Sequence, residues 1–335
     1  MLQRVGYGVL AIAVLVLLFV QDVVIAREAV HVPGALGQLL ARGSLVPLLF
    51  VVVLLRGSME MSRLLRAKGA KPRAGFANVC ILFLFLAPWL SAAGWFGDGV
   101  AEQEGLLWQL VGVTGALLGA ATLTILGRDP QGCVRDLGAT ILMVLYLGLL
   151  GSFGTMLRCG KDVPGNEGAW LLLIVLLVTK VSDIGAYFTG KAIGRHKLIP
   201  TISPGKSVEG AIGGVIASAL VAAGFAALPS LLPPAIVGET QRPGLMLLYD
   251  LTRSFSLSTE TSEIGPIGRA FIIGALLSIA GQFGDLIESC FKRDSGVKDS
   301  GHLLPQYGGI LDLVDSPLFA MPVAWFLLRV VWKIA

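Results

Sequence analysis

Between Gly281 and Asp315 the chain reads GQFGDLIESCFKRDSGVKDSGHLLPQYGGILDLVD, with six acidic and three basic side chains in a protein that is only 14% charged. So dense a block of charge in an apolar chain calls for a chemical purpose. Asp285, Glu288 and Ser289 stand at i, i+3 and i+4, so a helix puts all three on one face, with Lys292 a turn further on. A glycine-containing segment, Ser295 to Pro305, separates them from Gly308-Gly309 and a second carboxylate pair, Asp312 and Asp315, again three apart. Two carboxylate pairs about a basic, glycine-rich turn suit a hard divalent cation held together with phosphate oxygens.

A second polar stretch runs from Lys180 to Gly214, KVSDIGAYFTGKAIGRHKLIPTISPGKSVEGAIGG. Asp183 closes an apolar run and Tyr187 follows four residues later on the same helical face. A carboxylate at the end of a span is costly unless it meets a wet cavity or a partner, and Lys180 at i−3 is the simplest partner. Gly190, Lys191, Gly194, Arg195, His196 and Lys197 make a basic turn. Ser203-Pro204-Gly205-Lys206-Ser207 is then expected to open a helix, with Glu209 in its first turn. Free N–H groups at that helix start, with Lys206 and two hydroxyls, suit a phosphate chain. Plainer readings stand beside these. The Ser-Pro…Glu pattern is also ordinary capping, and Lys292-Arg293 also reads as a snorkelling anchor. Glu288 also reads as a local partner of Lys292, and Asp315, before Ser316-Pro317, as a helix cap.

The elements that must position these groups are membrane helices. The chain has 335 residues, 55% of them hydrophobic, and a mean hydropathy of +0.79. A soluble protein of that length would show far more charge, so the expected fold is all-α, a polytopic integral membrane protein. Apolar runs lie at 1–20, 39–55, 76–90, 106–126, 137–157, 169–181, 211–232, 267–283 and 318–331. They give about nine spans at ~20 residues each. Val-Ile-Ala at 24–26 faintly resembles a signal-peptidase site, but further spans follow at once, so a retained first helix is expected. Four scattered cysteines and three histidines, none at ligand spacing, argue against a disulfide framework or zinc. The net charge of +4 is modest and gives no reason to expect nucleic acid.

Loop charge sets the expected orientation. Arg56 to Arg73 carries six basic residues against Glu60 alone, whereas Ser91 to Gly105 carries Asp98, Glu102 and Glu104 and no basic residue. By the positive-inside rule the first is cytoplasmic. Counting on, 184–210 and 284–317 fall on the cytoplasmic side as motif loops, and 229–266 falls outside. The basic run at 56–73 reads as topology and attraction to anionic headgroups. Residues 1–160 are accordingly read as a helical scaffold and 161–335 as the catalytic half.

Ser289-Cys-Phe-Lys292-Arg293, Lys298-Asp299, Gly301, Leu304-Pro305, Gly308-Gly309, Asp312 and Asp315 closely resemble the signature of the phosphatidate cytidylyltransferase (CDP-diacylglycerol synthase) family. Asp183-Ile-Gly-Ala-Tyr187-Phe-Thr-Gly190 and Ser203-Pro-Gly-Lys206-Ser-Val-Glu209-Gly210 resemble two further blocks of that family. The chain departs from the pattern at Tyr307, where a His is usual, at Leu313, where an Arg is usual, and at Gly205 and Val208, where Lys and Trp are usual. The resemblance implies transfer from CTP to phosphatidate, giving CDP-diacylglycerol and pyrophosphate, in a cell inner membrane with the site facing the cytoplasm. It implies Mg²⁺ on Asp285 and Asp312, with Glu288 and Asp315 in support. Lys292, Arg293, Lys298 and Asp299 take the catalytic positions. Asp183, Tyr187, Ser203, Lys206 and Glu209 form the CTP pocket. Membrane lipid and, as an assembly, a homodimer complete the expected partners. Three alternatives remain open on the residues: a catalytically altered family member, a different lipid-phosphate transferase acting on another CTP-activated or polyprenyl substrate, and a transporter with carboxylate ion-coupling sites.

Overall fold

In lipid no water satisfies the backbone, so apolar runs of this length close their hydrogen bonds internally as helices. The computed structural model describes residues 2–95, 104–127, 130–159, 167–231, 264–301 and 308–331. In chain order these form α1 (Leu2–Ala29), α2 (Ala35–Ala41), α3 (Leu45–Ala67), α4 (Ala74–Ala92) and α5 (Glu104–Leu126). A continuous span then follows: α6 (Cys133–Met143), a π-helical stretch (Val144–Leu149) and α7 (Leu150–Cys159). The second half holds α8 (Glu167–Ile193), β1 (Lys197–Ile199), β2 (Ser203–Ser207), α9 (Val208–Leu231), α10 (Pro266–Asp294) and α11 (Leu311–Phe326). Among the described residues eight helices are long and apolar enough to cross a membrane, and α1, 28 residues long, is a further apolar helix. The fold is all-α and polytopic, as expected, with one two-stranded ribbon.

The boundaries differ from the expected ones in three places. The run at 39–55 breaks at Arg42-Gly43-Ser44, where Gly43 takes φ +84°, and yields the short α2 and the long α3. The stretch Ser203–Ser207 is not a helix start. It is strand β2, antiparallel to β1 with Lys197 opposite Ser207 and Ile199 opposite Ser203, and α9 begins only at Val208. Pro204 lacks an N–H and suits the edge of such a ribbon. Finally, α8 and α10 run well into the expected motif loops, to Ile193 and Asp294, so the loops themselves are short.

α8 is the axis of the molecule. Its residues 168–176 are buried on every side, including Trp170, Leu172, Ile174 and Val175, as an apolar-all-round helix in a bundle should be. By contrast α5 leaves Leu107, Leu110, Val111, Leu117 and Leu118 exposed, as a lipid-facing helix does. α8, α9, α10 and α11 approach closely through small residues. A Cβ on Gly284 of α10 would stand 2.4 Å from the Asp315 carbonyl oxygen of α11, and one on Gly185 of α8 2.6 Å from Ala217 of α9. Beneath the ribbon, Ser182 and Ser278 hydroxyls meet at 2.6 Å, and Gln282 Nε2 donates to Ser278 Oγ (3.0 Å) and to the Ala211 carbonyl (3.1 Å). These bonds lock α8, α9 and α10 at a fixed spacing just below the polar end.

The junctions that carry charge meet at one end of the bundle. Lys71 N donates to Asp136 Oδ1 (2.8 Å), Ser295 Oγ donates to the Leu64 carbonyl (3.0 Å), and Arg293 Nε donates to the Ile202 carbonyl (3.1 Å). The α3–α4, α5–α6, α8–α9 and α10–α11 connections therefore share a face, as the alternation of spans requires.

Candidate active site

α10 presents Asp285, Glu288, Ser289 and Lys292 on one face because they recur at helical spacing, and α11 crosses beside it with Asp312 and Asp315 in its first two turns. Carboxylate oxygens of Asp285, Glu288 and Asp315 lie within 4.8 Å of one another. Glu288 is fully buried and Asp315 nearly so, and neither oxygen of Glu288 accepts a hydrogen bond of normal geometry. Three buried or half-buried anions so close together demand cations. Lys292 Nζ forms an ion pair with Glu288, and Lys206 Nζ stands 2.6 Å from Asp285 Oδ2. Three hard oxygen donors with lone pairs to spare also fit a divalent cation.

Asp312 is placed differently. Its Oδ1 meets Lys292 Nζ at 2.5 Å, and its Oδ2 accepts from Ser300 N (3.0 Å), Ser300 Oγ (2.7 Å) and Gly309 N (2.8 Å). It is thereby tied to the loop, and Asp285, Glu288 and Asp315 form the carboxylate triad without it. Lys292 connects the two groups, touching Glu288 on one side and Asp312 on the other. Asp315 sits inside α11 and is no helix cap.

Beside the triad lies a cavity of about 340 Å³ lined by, among others, Asp183, Tyr187, Lys191, Lys206, Gln282 and Asp285. Asp285 belongs to both the triad and the cavity wall, and is the member through which the triad meets the cavity. Asp183 keeps its local partner, with Lys180 Nζ at 3.3 Å from Oδ2. Of the residues expected in a nucleotide pocket, Asp183, Tyr187 and Lys206 line the cavity; Ser203 and Glu209 do not. Ser203 is the strand residue opposite Ile199. Glu209 turns to the basic loop, where its carboxylate accepts from Arg195 N (3.0 Å) and meets His196 Nδ1 at 2.6 Å. The start of α9 is also less open than its sequence implies, because Val208 N donates to the His196 carbonyl (2.9 Å) and Gly210 N to Ser207 Oγ (3.1 Å). Cationic side chains, not free helix-start amides, line this wall.

The remaining expected residues do not line the cavity. Arg293 braces the ribbon through the Ile202 carbonyl. Lys298 and Asp299 are exposed, with Asp299 Cβ 3.5 Å from where a side chain on Gly308 would begin. Gly308 itself adopts φ +83°, the left-handed turn that glycine allows. His302 and Tyr307 lie outside the described residues, as do residues 232–263 of the expected external segment.

One residue escaped the sequence reading. In the sequence Glu60 reads as the lone acid of the basic run at 56–73, part of a topology signal. In the structure it is buried within α3 and accepts from Ser300 Oγ (3.0 Å), Ile310 N (3.0 Å) and Leu311 N (2.9 Å). The criterion that singled out Asp183, a carboxylate near the end of an apolar span, applies equally to Glu60 and would have found it.

Fold and placement together define a multi-pass helical membrane protein with the carboxylates and ammonium groups of its candidate site gathered at one end. The model of the cytidylyltransferase family matches residues 8–331, and the chain belongs to that family: it is a membrane-embedded nucleotidyltransferase. It is similar to the phosphatidate cytidylyltransferase of Bacillus subtilis, 32% identical over 281 residues covering 83% of this chain and 87% of that protein. It also resembles the phosphatidate cytidylyltransferase of Staphylococcus haemolyticus, 39% identical over 232 residues and covering 69% and 72%. That of Staphylococcus aureus is 35% identical over 207 residues, 61% and 64%.

Proposed function

We propose that this protein transfers the cytidylyl group of CTP to phosphatidate, giving CDP-diacylglycerol and pyrophosphate, at the cytoplasmic face of the membrane and with Mg²⁺. The observation that carries the proposal is the carboxylate triad of Asp285, Glu288 and Asp315, which meets through Asp285 a cavity with Lys206 in its wall, in a chain of the cytidylyltransferase family.

The chemistry asks little of a base. A phosphomonoester has a second pKa of about 6, so its oxygen is already anionic at neutral pH. That oxygen bonds to the α-phosphorus of CTP while the bond to the bridging α,β-oxygen breaks and pyrophosphate leaves with the electron pair. The protein's work is to hold two anions in line and to offset the charge that builds on the leaving group. Bound by Asp285, Glu288 and Asp315, magnesium supplies positive charge to the triphosphate. Lys206 and Lys191 offer ammonium groups from the cavity wall. Asp183 and Tyr187 offer polar contacts to the nucleotide. Lys292 sets the charge of the triad through Glu288 and joins it to Asp312 and the loop. The basic residues that share this end of the bundle support its cytoplasmic placement.

The test is turnover of purified protein in detergent with labelled CTP, phosphatidate and Mg²⁺. We expect CDP-lipid formation that EDTA abolishes and Mg²⁺ restores, and that Asp285→Asn lowers by at least about 100-fold, the scale of losing a charged group that acts on the transferring phosphate. Retained turnover in EDTA, or in Asp285→Asn, would sink the metal assignment; no CDP-lipid from wild type under any condition would sink the reaction.

A further inference from the structure

We infer that Glu60, on α3 in the N-terminal half, is a positioning residue of the nucleotidyl-transfer site; the inference rests on the function proposed above and adds to it. Its carboxylate is the anchor for the far side of the α10–α11 connection. Oε1 accepts the Ile310 N–H at 3.0 Å, and Oε2 accepts the Leu311 N–H at 2.9 Å and the Ser300 hydroxyl at 3.0 Å. Ile310 and Leu311 open α11, so Glu60 supplies acceptors for amides that the helix itself cannot satisfy and places negative charge at its positive end. Such a bond between a distant element and a helix start fixes where that helix begins, and Asp312 is the next residue along.

Ser300 carries the effect onward. Its hydroxyl holds one proton, stands between two carboxylates, Glu60 Oε2 at 3.0 Å and Asp312 Oδ2 at 2.7 Å, and donates to one of them at a time. Its N–H also donates to Asp312 Oδ2 at 3.0 Å. Asp312 in turn holds Lys292, which meets Glu288 of the triad. An unbroken set of contacts therefore runs from Glu60 through Ser300 and Asp312 to Lys292 and Glu288. The glycines of the connection make room for it. A Cβ on Gly309 would fall 2.3 Å from Glu60 Oε2 and 2.2 Å from Ser300 Oγ, and one on Gly301 2.7 Å from Glu60 Oε1. Both sites are glycine because the Glu60 carboxylate occupies the space a side chain would need. Buried at 6% exposure, the Glu60 carboxylate is satisfied by these donors.

Glu60→Gln keeps the volume but replaces one acceptor oxygen by an NH₂ that faces donors, so at least one of the three bonds is lost. We expect kcat to fall about 10- to 100-fold, the consequence of losing charge-assisted bonds of this kind, with KM for CTP changing less than about threefold and the thermal midpoint in detergent close to wild type. Ser300→Ala should cost a similar factor, and the double variant no more than the worse single one, since both act through Asp312. Gly309→Ala, which pushes on the same two groups, should reproduce the Glu60→Gln phenotype, and stands in should Glu60→Gln not fold. A readout independent of turnover is the rate of trypsin cleavage after the exposed Lys298, followed by mass: Glu60→Gln should raise it about 10-fold or more as the connection is released. Wild-type kcat in Glu60→Gln, or losses that multiply in the double variant, overturn the inference. Should wild type make no CDP-lipid, the proposed reaction fails and the cleavage rate alone decides the role of Glu60. Unchanged cleavage overturns it and faster cleavage upholds it.

Discussion

Lys292 meets two carboxylates from two helices while being only 12% exposed. Its role divides into charge balance and chemistry, and the two can be separated. Lys292→Met leaves the fully buried Glu288 without its counter-charge, at a cost of about 3–5 kcal/mol, so both the thermal midpoint and CDP-lipid turnover should fall. Adding Glu288→Gln removes the orphaned charge and should restore most of the midpoint while turnover stays lost. Recovery of turnover in the double variant would mean that Lys292 serves only to neutralise Glu288 and that Glu288 is no metal ligand. Residues such as these were legible in sequence because helical spacing alone puts Asp285, Glu288, Ser289 and Lys292 on one face. Asp312 was not. Its distance from Asp315 marks it as a second ligand, yet its partners Ser300 and Gly309 are set by how the connection turns back, and no periodicity encodes that.

At the scale of elements, the triad exists because α10 and α11 touch backbone to backbone. Gly284 packs where any Cβ would meet the Asp315 carbonyl at 2.4 Å. Gly284→Val must push the helices apart, moving Asp315 away from Asp285 and Glu288. We expect a graded series in which Gly284→Ala loses turnover moderately and Gly284→Val loses about 100-fold or more, with a cost of about 1–3 kcal/mol from overpacking read as a lowered midpoint. Equal turnover in all three proteins would show that the carboxylate spacing is not set at this crossing. The ribbon teaches the opposite lesson. Ser-Pro-Gly-Lys-Ser has the composition of a helix start, and only its pairing with β1 makes it a strand whose Lys206 reaches across to α10. Pairing partners are tertiary facts, so local propensity favoured the wrong element.

Across the whole molecule, a second buried ion pair holds the end opposite the site. Asp22 of α1 and Arg158 of α7 meet with Arg158 Nη2 2.8 Å from Asp22 Oδ2, at 0% and 1% side-chain exposure. Asp22 Oδ1 also accepts the N–H groups of Ser44 and Leu45 (2.8 Å each) and Val46 (3.2 Å) at the start of α3. Val46 and Glu60 are 14 residues apart on α3, or about 21 Å at 1.5 Å per residue. Arg158→Ala should therefore cost about 3–5 kcal/mol of stability and lower the thermal midpoint, with kcat per folded enzyme unchanged below that midpoint. A drop in kcat without a drop in midpoint would contradict this division of labour. Orientation is tested at the same scale. With the four native cysteines replaced, Lys298→Cys in intact cells should resist a membrane-impermeant maleimide and react once the membrane is opened. Labelling from outside would reverse the proposed topology.

Composition determined that this chain lives in a membrane, since a backbone in lipid must bond to itself and apolar runs of this length can do so only as helices. Spacing determined which carboxylates share a helical face, because that depends on neighbours within two turns. What only the tertiary structure decided is which groups from different helices meet: Glu60 with Ser300 and the start of α11, Lys206 with Asp285, and Asp315 with Glu288. Those meetings follow from close helix crossings and from chain reversals, and both are products of packing between segments far apart in the sequence.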